Sequence, residues 1–166
     1  MPRLIRDHQI VADDWQLMRE LGDAIALPLT GNFIVPLSYW VADRDRLLRR
    51  GGVGVLLAPA DDPHVLAKDC SRLPVIAIDF PQFTDGRGYS SARLLRERYG
   101  FRGELRAVGD ILRDQLYYLE HCGFNAFAVR ADRDIDDALL GLNDFSDGYQ
   151  VTTRRTLPLR WRHVAP

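Results

Sequence analysis

A short stretch that is apolar at every position, Val75-Ile76-Ala77-Ile78, constrains this chain more than any other feature. A strand with one face in water alternates apolar and polar residues. A strand that is apolar throughout has both faces covered, as in the parallel sheets of α/β proteins. Strand-length runs recur along the chain: Asn32 to Leu37, Val53 to Ala58, Pro74 to Phe80, Glu104 to Val108 and Phe124 to Val129.

Helical patterns separate these runs. One extends from Ser38, a candidate N-cap, to Arg50, where Gly51-Gly52 ends it. A second, about Ser90 to Tyr99, places Ala92, Leu95 and Tyr99 on one face. A third, Asp110 to Cys122, aligns Leu112, Leu116 and Leu119 and is closed by Gly123. The last, Asp134 to Leu142, has Ile135, Ala138, Leu139 and Leu142 at helical spacing. Between Ala60 and Arg72 the pattern supports only a short helix or an irregular crossing. This alternation predicts an α/β fold with right-handed crossovers and a mainly parallel sheet of about five strands. Pattern leaves both an open sheet and a partial barrel in play.

Before the first of these runs, the extended pieces LIR, QIV and WQLM are broken at Asp7-His8 and Asp13-Asp14. They predict an N-terminal β-hairpin or small meander at the edge of the fold. Residues 1–30 are therefore hairpin and linker, 31–145 the α/β core, and 146–166 a basic tail, all within one domain. The tail carries Arg154, Arg155, Arg160 and Arg162 around Trp161.

Composition narrows the classes of function. A net charge of −1 gives no global attraction to nucleic acid or an acidic membrane. No apolar run reaches the ~18 residues of a membrane span. The opening MPRLIRDHQIVADDW lacks the apolar segment of a secretory signal. Cys70 and Cys122 are too few for a disulfide framework or metal cluster, so the expected compartment is cytoplasmic and reducing, and no metal site is predicted.

In parallel α/β folds, ligands bind beyond the carboxyl ends of the strands. Three connections lie there: Asp79 to Ser90, Gly109-Asp110 and Arg130. The first is longer than a strand–helix turn requires. Gly86 and Gly88 could turn through positive φ and let the backbone approach a ligand. Free N–H groups at the start of a helix at Ser90, with Arg87 beside them, would suit sulfite, sulfate or phosphate. The candidate ligand-binding residues are Thr84, Asp85, Gly86, Arg87, Gly88, Tyr89, Ser90, Gly109, Arg113 and Arg130. Asp79 and Asp110, at strand ends, are candidate acid/base residues.

Each has a plainer structural explanation. Arg87 can pair with Asp85 or Asp79, and Ser90 and Asp110 can be N-caps. Arg93, Arg96, Arg98 and Arg102 read mostly as a solvated helix face. His121-Cys122 reads as an exposed histidine at a helix end beside a buried thiol, and Tyr117 and Tyr118 as packing residues.

The stretch from IAIDFPQFTDGRGYS through RAVGD, RDQL and CGF closely resembles a bacterial family catalogued as domain of unknown function 934, over about Val35 to Tyr149. Its members are often encoded beside sulfite reductase and carry the label of oxidoreductases in sulfite reduction. The resemblance implies a pathway, with sulfite reductase or another sulfur-assimilation protein as partner, and assigns no catalytic residue. The sequence holds no iron–sulfur cysteine set, haem attachment motif or dinucleotide fingerprint, so the cofactor is left unknown. Direct redox chemistry would call for a flavin held by non-motif contacts, or a partner that owns the cofactor.

Three expectations follow. The first is an accessory protein of assimilatory sulfite or sulfate reduction, binding a small oxyanion or a reductase partner at 79–90. The second is a small enzyme with an aspartate acid/base acting on an anionic substrate. The third is an interaction module that uses the basic tail.

Overall fold

A computed structural model describes residues 2–21 and 26–144; the basic tail lies outside them. Five strands coincide with the predicted runs: β4 (Asn32–Pro36), β5 (Val53–Leu57), β6 (Val75–Phe80), β7 (Glu104–Gly109) and β8 (Ala126–Phe127). Three more come from the first segment: β1 (Arg3–Arg6), β2 (Gln9–Ala12) and β3 (Trp15–Leu17). Among the described residues the sheet therefore has eight strands, in the order β2-β1-β8-β7-β6-β5-β4-β3, and not about five. It is mixed. Strands β3 to β8 are parallel, each beside the next, and β1 pairs antiparallel with both β8 and β2.

The β1–β2 hairpin lies at one edge as predicted, turning through positive φ at Asp7 and His8. WQLM does not extend that hairpin; it forms the opposite edge. Yet β2 and β3 are separated by just Asp13 and Asp14. Such a link spans about 10 Å, so the sheet must curl until its edges approach each other. Of the two predicted alternatives, the fold is the partial barrel: a curled open sheet.

The helices begin and end differently from the sequence pattern. The stretch after β4 is two helices, α1 (Leu37–Ala42) and α2 (Arg44–Arg50). Pro36 occupies the N-cap position in place of Ser38, and Asp43, at φ −141°, breaks the path between them. Gly51 and Gly52 do end α2, both at positive φ. Helix α3 (Arg87–Arg93) starts three residues before Ser90 and continues as a π-helical stretch, Leu94–Arg98. Helix α4 (Arg113–His121) starts after Asp110, and Leu112 takes the N-cap position. Helix α5 (Ile135–Leu140) is capped by Asp134, which accepts from the Asp136 N–H.

One face of the sheet, carrying Val55, Ile76, Ile78, Phe80, Leu105 and Ala107, packs against the helices in the main core. The inner face of the curl has a smaller apolar cluster: Ile34, Leu56, Val75, Ala77 and Val108, met by Trp15 and Leu17. It also carries charge. Arg106 is 2% exposed, with Ala77 and Ala126 as its cross-strand neighbours, small residues that leave room for a guanidinium. Its Nε donates to Glu104 at 2.6 Å and its Nη1 to both Asp13 oxygens at 3.0 Å. Arg6 joins through Glu104 at 3.2 Å. Among the described residues, no helix is long and apolar enough to cross a membrane.

Candidate functional site

The carboxyl ends of β6, β7 and β8 bring Asp79, Gly109, Asp110 and Arg130 together. Asp79 shares the inner-face parity of Val75 and Ala77, and its Oδ1 meets Arg19 Nη1 at 2.6 Å. Arg19 follows β3, so this pair reaches from the edge-strand segment to a central strand. Gly109 sits at φ +102°, and a Cβ there would come within 2.9 Å of Asp79 Oδ1 and strike the Phe80 carbonyl. This glycine is required by both its backbone angle and its surroundings.

Asp110 holds three connections in place. Its N–H donates to the Phe80 carbonyl at 2.7 Å. Its Oδ2 accepts from the Phe83 N–H at 3.0 Å, and its Oδ1 from Arg130 Nη1 at 2.8 Å. Both carboxylate oxygens are thus engaged within the protein. The Arg130 N–H donates to the Ile111 carbonyl, and the rest of its fork holds Asp132. Gln115 supplies the capping contact predicted for Asp110. Its Oε1 accepts from the Leu112 N–H at 2.9 Å, while its Nε2 donates to the Phe83 carbonyl at 3.3 Å.

The 79–90 connection is more self-contained than its composition suggests. Arg87 forks onto Asp85 through Nε at 3.0 Å and Nη2 at 2.7 Å, and the Arg87 N–H joins them at 3.2 Å. These hydrogen bonds hold the Asp85 carboxyl below its ordinary range and push the Arg87 guanidinium above its own. Gly86 has φ −83°, and Gly88 lies buried inside α3, so neither makes the positive-φ turn expected of it. The reason for Gly88 is packing: a Cβ there would come within 2.6 Å of the Phe80 ring and 2.9 Å of Ile78. Thr84 is exposed in the turn, and Ser90 is exposed within α3 rather than at its start. Arg113 is turned elsewhere, onto Asp137 and Asp144. It lines a separate acid-rich groove of ≈ 670 Å³ with Asp114, Asp132 and Asp134.

Of the aromatic surface here, Tyr89 is among the sequence candidates, whereas Tyr118 reads in sequence as a packing residue. Phe83 and Tyr118 are each 49% exposed. The Tyr118 ring lies 5.1 Å from that of half-buried Tyr89, which packs at 5.4 Å on Phe80. Burial pushes the Tyr89 phenol up. Tyr118 is one helical turn from Gln115, which grips Phe83, so both rings stand on a braced scaffold.

Two other expectations change. His121 is buried, its Nδ1 2.7 Å from the Tyr117 carbonyl, and not exposed. Arg96 is no surface charge. It binds the carbonyls of Phe101, Gly103 and Gly123 and the Asn125 side chain, and burial lowers its pKa. Among the described residues, no three His, Cys, Asp or Glu side chains converge as metal ligands.

No curated protein matches the chain. The family described as "Bacterial protein of unknown function (DUF934)" matches residues 54–160. That span takes in β5 through α5, including Asp79, the 79–90 connection, Asp110, Gln115 and Arg130, and leaves out Asp13 and Arg19. It covers well over half of the 166 residues, and the chain belongs to the DUF934 family.

Proposed function

We propose that this protein is an accessory factor of sulfite reduction that docks a reductase partner through the strand-end rim built by Phe83, Tyr89 and Tyr118. The pathway comes from the family resemblance. The choice of a protein partner over a loop-bound oxyanion comes from the rim itself.

One observation carries that choice. Arg87, Arg113 and Arg130, the cations once assigned to an anion, are each bound to carboxylates of this chain, while Phe83 and Tyr118 offer aromatic surface to solvent. Binding energy at protein interfaces concentrates in a few aromatic and arginine anchors. Anchors held rigid before binding lose less entropy on docking. Phe83 is fixed from both sides of its own peptide, by Asp110 and Gln115.

The test is co-purification with sulfite reductase. Phe83→Asp and Tyr118→Asp should each remove the reductase from the captured complex and leave thermal stability near wild type. Retention by both variants, with loss in Arg87→Ala, would return the site to the charged loop.

A further inference from the structure

We propose that Arg19 and Asp79 form a receptor for a small protonated oxyanion of single charge, dihydrogenphosphate or hydrogensulfite in class, at the carboxyl end of β6. This goes beyond the docking rim and does not depend on it.

Position is the first argument. Asp79 is the last inner-face residue of β6, where ligands of parallel α/β folds bind. Its side chain is 13% exposed and that of Arg19 is 47% exposed, so the carboxylate is sheltered and the cation is reachable.

The chemistry of the pair is the second. Arg19 Nη1 lies 2.6 Å from Asp79 Oδ1, and nearly half of the Arg19 side chain is open to solvent. A guanidinium has five N–H donors in a fixed fork suited to planar and tetrahedral oxyanions. An anion seated on the remaining donors would face the Asp79 carboxylate, an acceptor with no proton to give. A ligand O–H donating to Asp79 makes that contact favourable; a bare oxyanion oxygen there meets like charge at hydrogen-bond distance. The pair is therefore a filter that accepts an oxyanion bringing its own proton.

The rest of the inner face reinforces the filter. Among the described residues, Arg106 is matched by Asp13 and Glu104, and Arg6 by Glu104. Among the described residues the lining thus adds no excess positive charge, which favours a monoanion over a dianion. Gly109 leaves room for the Asp79 carboxylate, which a side chain at that position would crowd.

Calorimetric titration at neutral pH with inorganic phosphate and then sulfate tests the proposal on the full chain. Sulfate has the same shape as phosphate but no proton under these conditions. Phosphate should bind at least tenfold more tightly than sulfate. Asp79→Asn, which supplies an N–H donor in place of the carboxylate, should erase or reverse that preference, and Arg19→Met should abolish both interactions. Equal binding of the two anions by the wild type, absence of binding by phosphate and sulfite, or unchanged phosphate binding in Arg19→Met would overturn it. The wild-type ratio decides even if Asp79→Asn fails to fold. A docking failure of Phe83→Asp leaves this titration unaffected, so the two proposals fail separately.

Discussion

Arg106 in the middle of β7 and Asp13 at the junction of the two edge strands are 3.0 Å apart, in a contact that uses both carboxylate oxygens. The pair ties the edge of the sheet to its interior, 93 residues away along the chain. Arg106 is nearly inaccessible to water, so losing a partner leaves a guanidinium with a large desolvation cost. Breaking a buried ion pair costs about 3–5 kcal/mol; since Glu104 remains, Asp13→Ala should fall at about 3 kcal/mol. Urea unfolding measures it. Arg87→Ala, which breaks an exposed pair, should cost under about 1 kcal/mol in the same assay.

Asp69 gives a pH dependence of known sign. Burial alone would raise its pKa, but the side-chain bonds from Arg44 and Trp40 and the charges of Arg44 and Arg72 together outweigh burial and hold it below the ordinary 3.8. A carboxyl lowered in the folded state contributes stability that is complete above its unfolded pKa, about 3.9, and is lost as pH falls through the folded value. Asp69→Asn should therefore be destabilised relative to wild type at neutral pH, and the gap should close in strong acid. Urea midpoints at neutral and acid pH check this.

Glycines separate packing from conformation. Gly88→Ala forces a methyl group against Phe80 and Ile78, and such overpacking costs about 1–3 kcal/mol. Gly86→Ala, with φ −83° and nothing within 4 Å of the added carbon, should be neutral or slightly stabilising. Thermal unfolding of the two variants should differ accordingly. If both behaved alike, the close approach of α3 to β6 would be wrong.

Both cysteines should be silent in the native protein. Cys70 and Cys122 are buried, and burial pushes each thiol above its ordinary pKa. The nucleophile is the thiolate, so a colorimetric thiol reagent at neutral pH should report neither group until denaturant is added, and then both. Rapid native reaction would contradict the packing around α4 and the Pro63–Leu66 turn.

The strands of the core were legible because burial on both faces leaves a plain mark: unbroken apolar runs. The curl was not, because it depends on which edge the three residues Trp15–Leu17 join, and three residues carry no signal of a partner. Helix starts were misplaced where polar residues had two uses. Asp110 looks like a cap, but its carboxylate is taken by Phe83 and Arg130, and Gln115 caps the helix instead. The loop at 79–90 was found from position, whereas its charge balance was not, since nothing local says that Arg87 folds back on Asp85. Tyr118 reads in sequence as a packing residue, because nothing local says that its ring stays half exposed. Arg19 lies in an irregular segment that no periodicity marks, and meets Asp79 only through the curl.

The docking claim is tested most directly by the affinity of the purified chain for sulfite reductase, measured for wild type, Phe83→Asp and Arg87→Ala. An aromatic anchor is worth about 2 kcal/mol or more, roughly a thirtyfold change in Kd. Phe83→Asp should weaken binding by at least that factor while Arg87→Ala stays within about threefold. Tight binding by Phe83→Asp together with a large loss in Arg87→Ala would contradict the account and assign the rim to charge recognition.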